Sequence, residues 1–596
     1  MTLSVCWTIL AIAMLLGGRA AAAPSTEKGV RAMKDASAAA PAHVIPLRAL
    51  GAVPGDGQDD TRAFVAALRQ ATGQPESRLV LEPGRYDLFL DPAVRGEAAL
   101  RHGLFIDKPR GVTIDGHGAE LVVHDWRSLF IFREVSGLTV RYLTIDYARP
   151  PHCGGKVVAV HPAESAFDLE VAPPYRAEAG LRVEGVLGYD PAQSRPAFRG
   201  FDVYQINGEC KTPTALVRDG VMRVFLRADV ALPPLGSHQI VRYGIYGRNA
   251  FTLLECRNVH FERVTIHAVP GMGVYADQCT DVRMTRCTVA RRGDLWQSTG
   301  ADATHFNNCR GRIVLEDCTF DGMGDDATNI HCMYGLVAAR VDDRTLHLVQ
   351  ARARGWGEGD VPFPLPQPGD RLEVGEAPEP LIPYGELCVE DARVLGKVTV
   401  VRLTAPLPAR LAAGQVVANA MTAPSACITR CTVRANRARG MLIQSRDVQV
   451  TECLFEDISG AALHIASDAD YWWEGLGVRD VTIRANTFRR CNYGAARRKA
   501  AIDIFSDLKG RQSAAGVHRG VRVVDNVVEE IDGAALYVGS VDGVVVTGNR
   551  FFGTTDAAVI LANCRNVRVT GNRCKRVLAP VRQEAGCETG TVVVER

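Results

Sequence analysis

The stretch 543-GVVVTGNRFFGTTDAAVILANCRNVRVTGNRC-574 decides the fold, because it states one structural unit twice. Each copy alternates apolar with polar residues at a period of two, as a strand with one buried face requires, and then presents Asn549 or Asn572. Between the copies lies a second short strand, 556-DAAVILAN. Working outward, the unit recurs as 520-GVRVVDNVV, 480-DVTIRANTF, 447-DVQVTECLF, 426-ACITRCTV, 311-GRIVLEDCTF and 281-DVRMTRCTV. Where nothing is inserted, equivalent positions lie 22 residues apart from Cys431 to Cys453, and 23 apart from Asn526 to Asn549 and from Asn549 to Asn572. That step is one coil of a three-strand helix, so the chain is predicted to be all-β, a right-handed parallel β-helix.

Equivalent residues of successive coils stack at about 4.8 Å. Asn486, Asn526, Asn549 and Asn572 therefore form an expected amide ladder. Cys287, Cys318, Cys431 and Cys453 take the same slot in earlier coils, where a small apolar thiol suits an inward stack. Of the 17 cysteines, most are accordingly expected in the core rather than in disulfides. At the other end, Gly55 to Thr61 precedes a short helical pattern through Ala63 and Leu68, and 79-LVLEPGRYDL enters the first coil. This resembles the entry of pectate-lyase-like β-helices, in which a capped helix plugs the open end.

The coil period fails in two places, where hairpin-like strands with Pro and Gly turns replace it, as in 368-PGDRLEVGEAPEP. Each gap is long enough for a small inserted antiparallel β-barrel-like domain. The expected organisation is a signal peptide (1–22), a flexible leader (23–43), the cap and first coils (44–155), an insertion (156–245), further coils (246–332), a second insertion (333–425) and the C-terminal coils (426–596). The signal rests on the apolar run Val5 to Leu16 and the small residues Ala20 to Ala23, and it predicts export to the periplasm or medium. The mature chain is expected to hold no stable membrane span. With 69 basic against 67 acidic residues, there is no electrostatic footprint for nucleic acid. The oligomeric state is open at this level, a homodimer included.

The chemically loaded segment is 298-STGADATHFNNCRGRIVLEDCTFDGMGDDATNIHCMYG. Asp302 and Asp325 are 23 residues apart, which predicts that Asp302 stands beside Asp325 on the next coil, with Asp326 displaced round a bend that Gly322 and Gly324 permit. Crowded carboxylates repel, so one stays protonated as an acid while another remains a base, the division that glycosidic cleavage needs. Calcium is the competing occupant of such a cluster, although its loop signature is missing, as is an unpaired Lys or Arg. A sugar has to be held by polar side chains on its hydroxyls, and His305, Asn329 and His331, which flank the carboxylates, are candidate contacts of that kind, as are Asp468 and Glu474. Asp468, Trp472 and Glu474 arrive from later coils, with Trp472 or Trp473 as a platform for a sugar face and Trp296 and Trp356 as competitors.

ADATHF at 301–306, GMGDDATNIH one coil later, 463-LHIASDADYWWEG, 143-LTIDYARPPHCGGKVV and 439-RGMLIQSRDVQVTECLF together resemble glycoside hydrolase family 110, the exo-acting α-1,3-galactosidases. The resemblance covers most of the chain after about residue 45. It implies an inverting hydrolase that needs no metal or other cofactor and removes terminal α-1,3-linked galactose from blood group B-type or linear α-galactosyl glycans. Asp302, Asp325 and Asp326 match the family's acidic cluster, with Asp302 favoured as acid and Asp325 or Asp326 as base. The rivals are a polygalacturonase-like hydrolase, whose Gly-His-Gly and Arg-Ile-Lys motifs are not found, and a non-catalytic β-helix adhesin.

Overall fold

The computed structural model describes residues 43–90, 103–205, 210–352, 361–495, 497–508, 511–588 and 590–595. The expected signal peptide and nearly all of the leader lie outside the described residues, as does Trp356. The coils form a parallel β-helix. Two ladders of short strands, joined in the early coils by the long strands Arg110–Val123, Ser136–Tyr147 and Arg257–Ile266, make two of its faces, and a 13-stranded sheet from Leu104–Asp107 to Val581–Gln583 makes another. Inside runs one continuous apolar column, from Ile45 and Leu79 at the capped end to Val567 and Val569. The helix Thr61–Gly73 closes that column with Phe64 and Leu68; its N-cap residue, Asp60, makes no side-chain capping bond, and Asp59 Oδ1, one residue earlier, accepts the Thr61 N–H at 3.0 Å.

The amide ladder forms as expected. Asn486, Asn526 and Asn549 each donate Nδ2–H to the Oδ1 of the next asparagine at 3.0, 3.0 and 2.9 Å, and that Oδ1 also accepts the preceding asparagine's backbone N–H. The ladder ends on Cys453, whose N–H donates to Asn486 Oδ1 at 2.9 Å, and the thiol stack continues from there. The 16 cysteines among the described residues are all free, and 12 are buried, so they serve as core residues.

The two insertions differ. Residues between Gly335 and Asn419 supply six antiparallel strands that close into a barrel around Leu346, Leu372, Val401 and Val417. Between His152 and Arg242 the chain makes an eight-stranded antiparallel sheet whose hydrogen-bonded path stays open, curled over Phe167, Val186, Met222 and Val241. Ion pairs fix both units to the coils. Arg310 holds barrel residue Asp370 at 2.8 and 2.6 Å, while Arg195 and Arg199 of the open sheet hold Asp457 and Asp532.

Candidate active site

The strands Thr304–Asn307 and Thr328–His331 lie side by side in parallel, with Thr304 opposite Thr328 and His305 opposite Asn329. The step across this coil is therefore 24 residues, not 23. The extra residue sits in a bulge where Thr280 pairs with Arg310 but Val282 pairs with Ile313, so that Gly311 and Arg312 both face Asp281. Gly311 takes φ +67° there, and a side chain would run into Asp281 Oδ1, which accepts the Arg312 N–H at 2.9 Å. The expected pairing is corrected accordingly. Asp302 stacks on Asp326, whose N–H donates to Asp302 Oδ1 at 3.1 Å, and Asp325 is the residue set round the bend.

All three carboxylates are buried, and one oxygen from each lies within 4.8 Å of the others. Their partners differ sharply. Tyr204, from the open-sheet insertion, donates its hydroxyl to Asp325 Oδ2 at 2.7 Å, and Arg437 stands 3.3 Å from Oδ1. Arg437 is itself held by Asp202 at 2.9 and 3.0 Å, and both it and the fully buried Arg242 lie over the Tyr204 ring, at 4.0 and 4.5 Å. Arg242 donates to the carbonyl of Gly324 at 2.9 Å and so fixes the bend just before Asp325. Arg439 meets Asp326 twice, through its backbone N–H and its guanidinium, each at 2.8 Å.

These surroundings separate the protonation states. Burial alone would push Asp325 up, yet Arg437, Arg439 and the Tyr204 hydroxyl hold it below the ordinary carboxylate range. Burial, and then the Asp325 charge, push Asp302 well above that range. Burial also raises Asp326 to about 8 against the pull of Arg439, and Glu474 to about 7. The three aspartates titrate as one unit in which Asp325 carries the charge and Asp302 a proton.

A chain of hydrogen bonds fixes where that proton sits. His305 Nδ1 is 2.7 Å from Asp302 Oδ2, the two Nε2 atoms of His305 and His331 are 2.8 Å apart, and His331 Nδ1 faces the carbonyl of Cys332 at 3.4 Å. A carbonyl only accepts, so His331 carries its proton on Nδ1 and accepts at Nε2. His305 therefore donates from Nε2 and accepts at Nδ1, which leaves Asp302 as the donor. Burial keeps both imidazoles neutral by lowering their pKa, His331 the more strongly.

The structure thus gives several expected sugar contacts another task. His305 and His331 use their ring nitrogens within this chain of bonds. Asp468 accepts the backbone N–H groups of Asp470, Tyr471 and Trp472 at 2.8, 2.9 and 2.6 Å, so its carboxylate builds the turn. Glu474 does reach the cluster, 3.9 Å from His331 Nε2, and Asn329 presents a buried Oδ1 with no hydrogen-bond partner among the described residues. Trp472 is exposed on its loop, whereas Trp296 is stacked on Tyr189 at 4.6 Å beneath the first insertion and is no platform. Sequence reasoning missed Tyr204, Asp202, Arg242, Arg437 and Arg439. The last had a signal, since Met441 pairs with Thr328 and so places Arg439 in the row of Asp326 once the second insertion is excised. Tyr204 and Asp202 had none, because no coil register reaches them.

The fold and site together define a buried carboxylate centre on a parallel β-helix. Residues 416–589 match the family model described as a right handed beta helix region. The chain is 27% identical over 538 residues to alpha-1,3-galactosidase A of Shewanella woodyi, covering 86% of each chain. It is 25% identical over 592 residues to alpha-1,3-galactosidase B of Phocaeicola vulgatus, covering 90% of this chain and 96% of that one. Among solved structures, an exopolygalacturonase from Thermotoga maritima aligns with a TM-score of 0.40 at 10% identity, over 90% of this chain and 92% of that one.

Proposed function

We propose that the chain is an exo-acting glycoside hydrolase of family 110, exported to the periplasm or medium, that releases terminal α-1,3-linked galactose from branched blood-group-type or linear glycans. The observation that carries this reading is the split among three touching carboxylates, one held ionised and one held protonated, on a chain that aligns over most of its length with proteins named alpha-1,3-galactosidase. Asp302 delivers its proton to the leaving oxygen when that O–H turns from His305 Nδ1 to the substrate, while Asp325 accepts a proton from the attacking water. Asp326, held by Arg439, positions Asp302 through its backbone N–H. The positive charge that a divalent cation would bring is already supplied by Arg437 and Arg439, which favours chemistry without a metal.

Inversion is what the family resemblance implies. Carboxylate oxygens within 4.8 Å match the short spacing of a retaining pair, so stereochemistry is a separate measurement. Incubation with Galα1,3Gal, followed by NMR, is expected to show galactose release with the β-anomer first and no dependence on chelator. Binding without release would sink the hydrolase reading, and the α-anomer first would sink inversion alone.

A further inference from the structure

Beyond the carboxylates, the outward face of the 13-stranded sheet continues as one row. His305 pairs with Asn329, Asn329 with Leu442, Leu442 with His464, and His464 with Asp503. His464 is therefore two strand spacings from Asn329, about 10 Å along the helix axis. Its side chain is 8% exposed, between the values for Asp302 (6%) and Asp325 (12%), so it lines a space as narrow as theirs. Its Nδ1 lies 2.9 Å from Asp503 Oδ2 but is not aligned for a hydrogen bond, so among the described residues this buried ring nitrogen has no hydrogen-bond partner. Burial lowers the His464 pKa despite the facing Asp503, with Arg439 and Arg498 acting in the same direction, so the ring is neutral and offers hydrogen bonding rather than charge.

Two buried oxygens on this row have no hydrogen-bond partner among the described residues, Asn329 Oδ1 and Asp503 Oδ1. Buried polar atoms left unpaired call for a partner, which a water or a ligand hydroxyl can supply. The other direction is closed, since toward the earlier coils Asp325 meets Tyr204 and Tyr246, and Tyr275 packs 5.5 Å from His305. A terminal sugar held at the carboxylates therefore has its leaving group directed along Asn329, Leu442 and His464.

We propose that His464, set beside Asp503, is a specificity-determining contact for the second sugar of the substrate, hydrogen-bonding a hydroxyl of the leaving saccharide. The proposal rests on the hydrolase reading, and its test separates the two. Compare kcat/KM on Galα1,3Gal with that on 4-nitrophenyl α-galactoside, whose leaving group is not a sugar. His464→Ala is expected to lose roughly tenfold or more on the disaccharide and to stay within about twofold of the parent on the aryl galactoside. Asp503→Asn, which keeps the size of the side chain, is expected to show the same selective loss to a smaller degree. Equal losses on both substrates, or no loss on the disaccharide, overturn the second-sugar contact. A parent protein inactive on both substrates overturns the hydrolase reading instead.

Discussion

The two insertions make opposite uses of the same coils. The first remains an open sheet, and its short strand Asp202–Tyr204, paired with Gly185–Asp190, carries Asp202 and Tyr204 onto the cluster, where Tyr204 touches Asp325 directly. The second closes on itself, and none of its strands sends a side chain to the three aspartates; Val416 and Ala418 instead pack with Trp473 and Leu476 and so support the loop that carries Trp472 and Glu474. A closed barrel satisfies its own backbone and has no edge to lend. An open sheet has loose ends that reach a neighbour. The first insertion should therefore govern chemistry, and the second stability and loop placement.

That contrast breaks most visibly at the residue where the first insertion meets the coils. Asp325→Asn removes the base while leaving an amide oxygen to accept from Tyr204, and kcat is expected to fall by about 10²–10⁴ with little change in the melting curve. Tyr204→Phe tests the insertion alone. Losing that hydroxyl raises the Asp325 pKa, so the acidic limb of the kcat/KM profile, where the base must be ionised, is expected to move to higher pH, with a drop of about tenfold below the new limb. An unshifted limb would mean that Tyr204 only packs.

For the second insertion the matching change is Glu373→Ala. Glu373 is buried between Arg446, at 2.8 Å through each oxygen, and Arg479, at 2.9 Å, and its loss leaves two guanidinia uncompensated. Unfolding in denaturant is expected to show a loss of about 3–5 kcal/mol, while turnover of the folded fraction changes little. A large fall in kcat of fully folded protein would erase the distinction between the insertions. The smallest expected effect on turnover is that of Asn549→Ala, far from both. It should remove about 1–3 kcal/mol from the ladder and leave kcat unaltered.

The fold was largely legible because its period repeats. Every coil restates the alternation, and the asparagine slot gives a register that needs no tertiary knowledge. The site was legible in its residue types but not in its pairing. Counting 23 residues put Asp302 beside Asp325, and a single bulge at Gly311 moved it to Asp326. The arginines that split the pKa values were hidden by an insertion that separates Asp326 from Arg439 in sequence but not in space. Tyr204 was invisible because it comes from the aperiodic open sheet. His305 and His331 were read as sugar ligands because their type permits it, and only their mutual 2.8 Å contact shows the internal role.

The Gly311 bulge has a consequence for how such a centre arises. The extra residue is taken up inside its own coil, and the next coil pairs at one constant offset through all three of its strands. Which aspartate faces which is thus set by chain length and not by choice of side chain. The same three acids, on a coil one residue shorter, would form a different dyad without a single change among them.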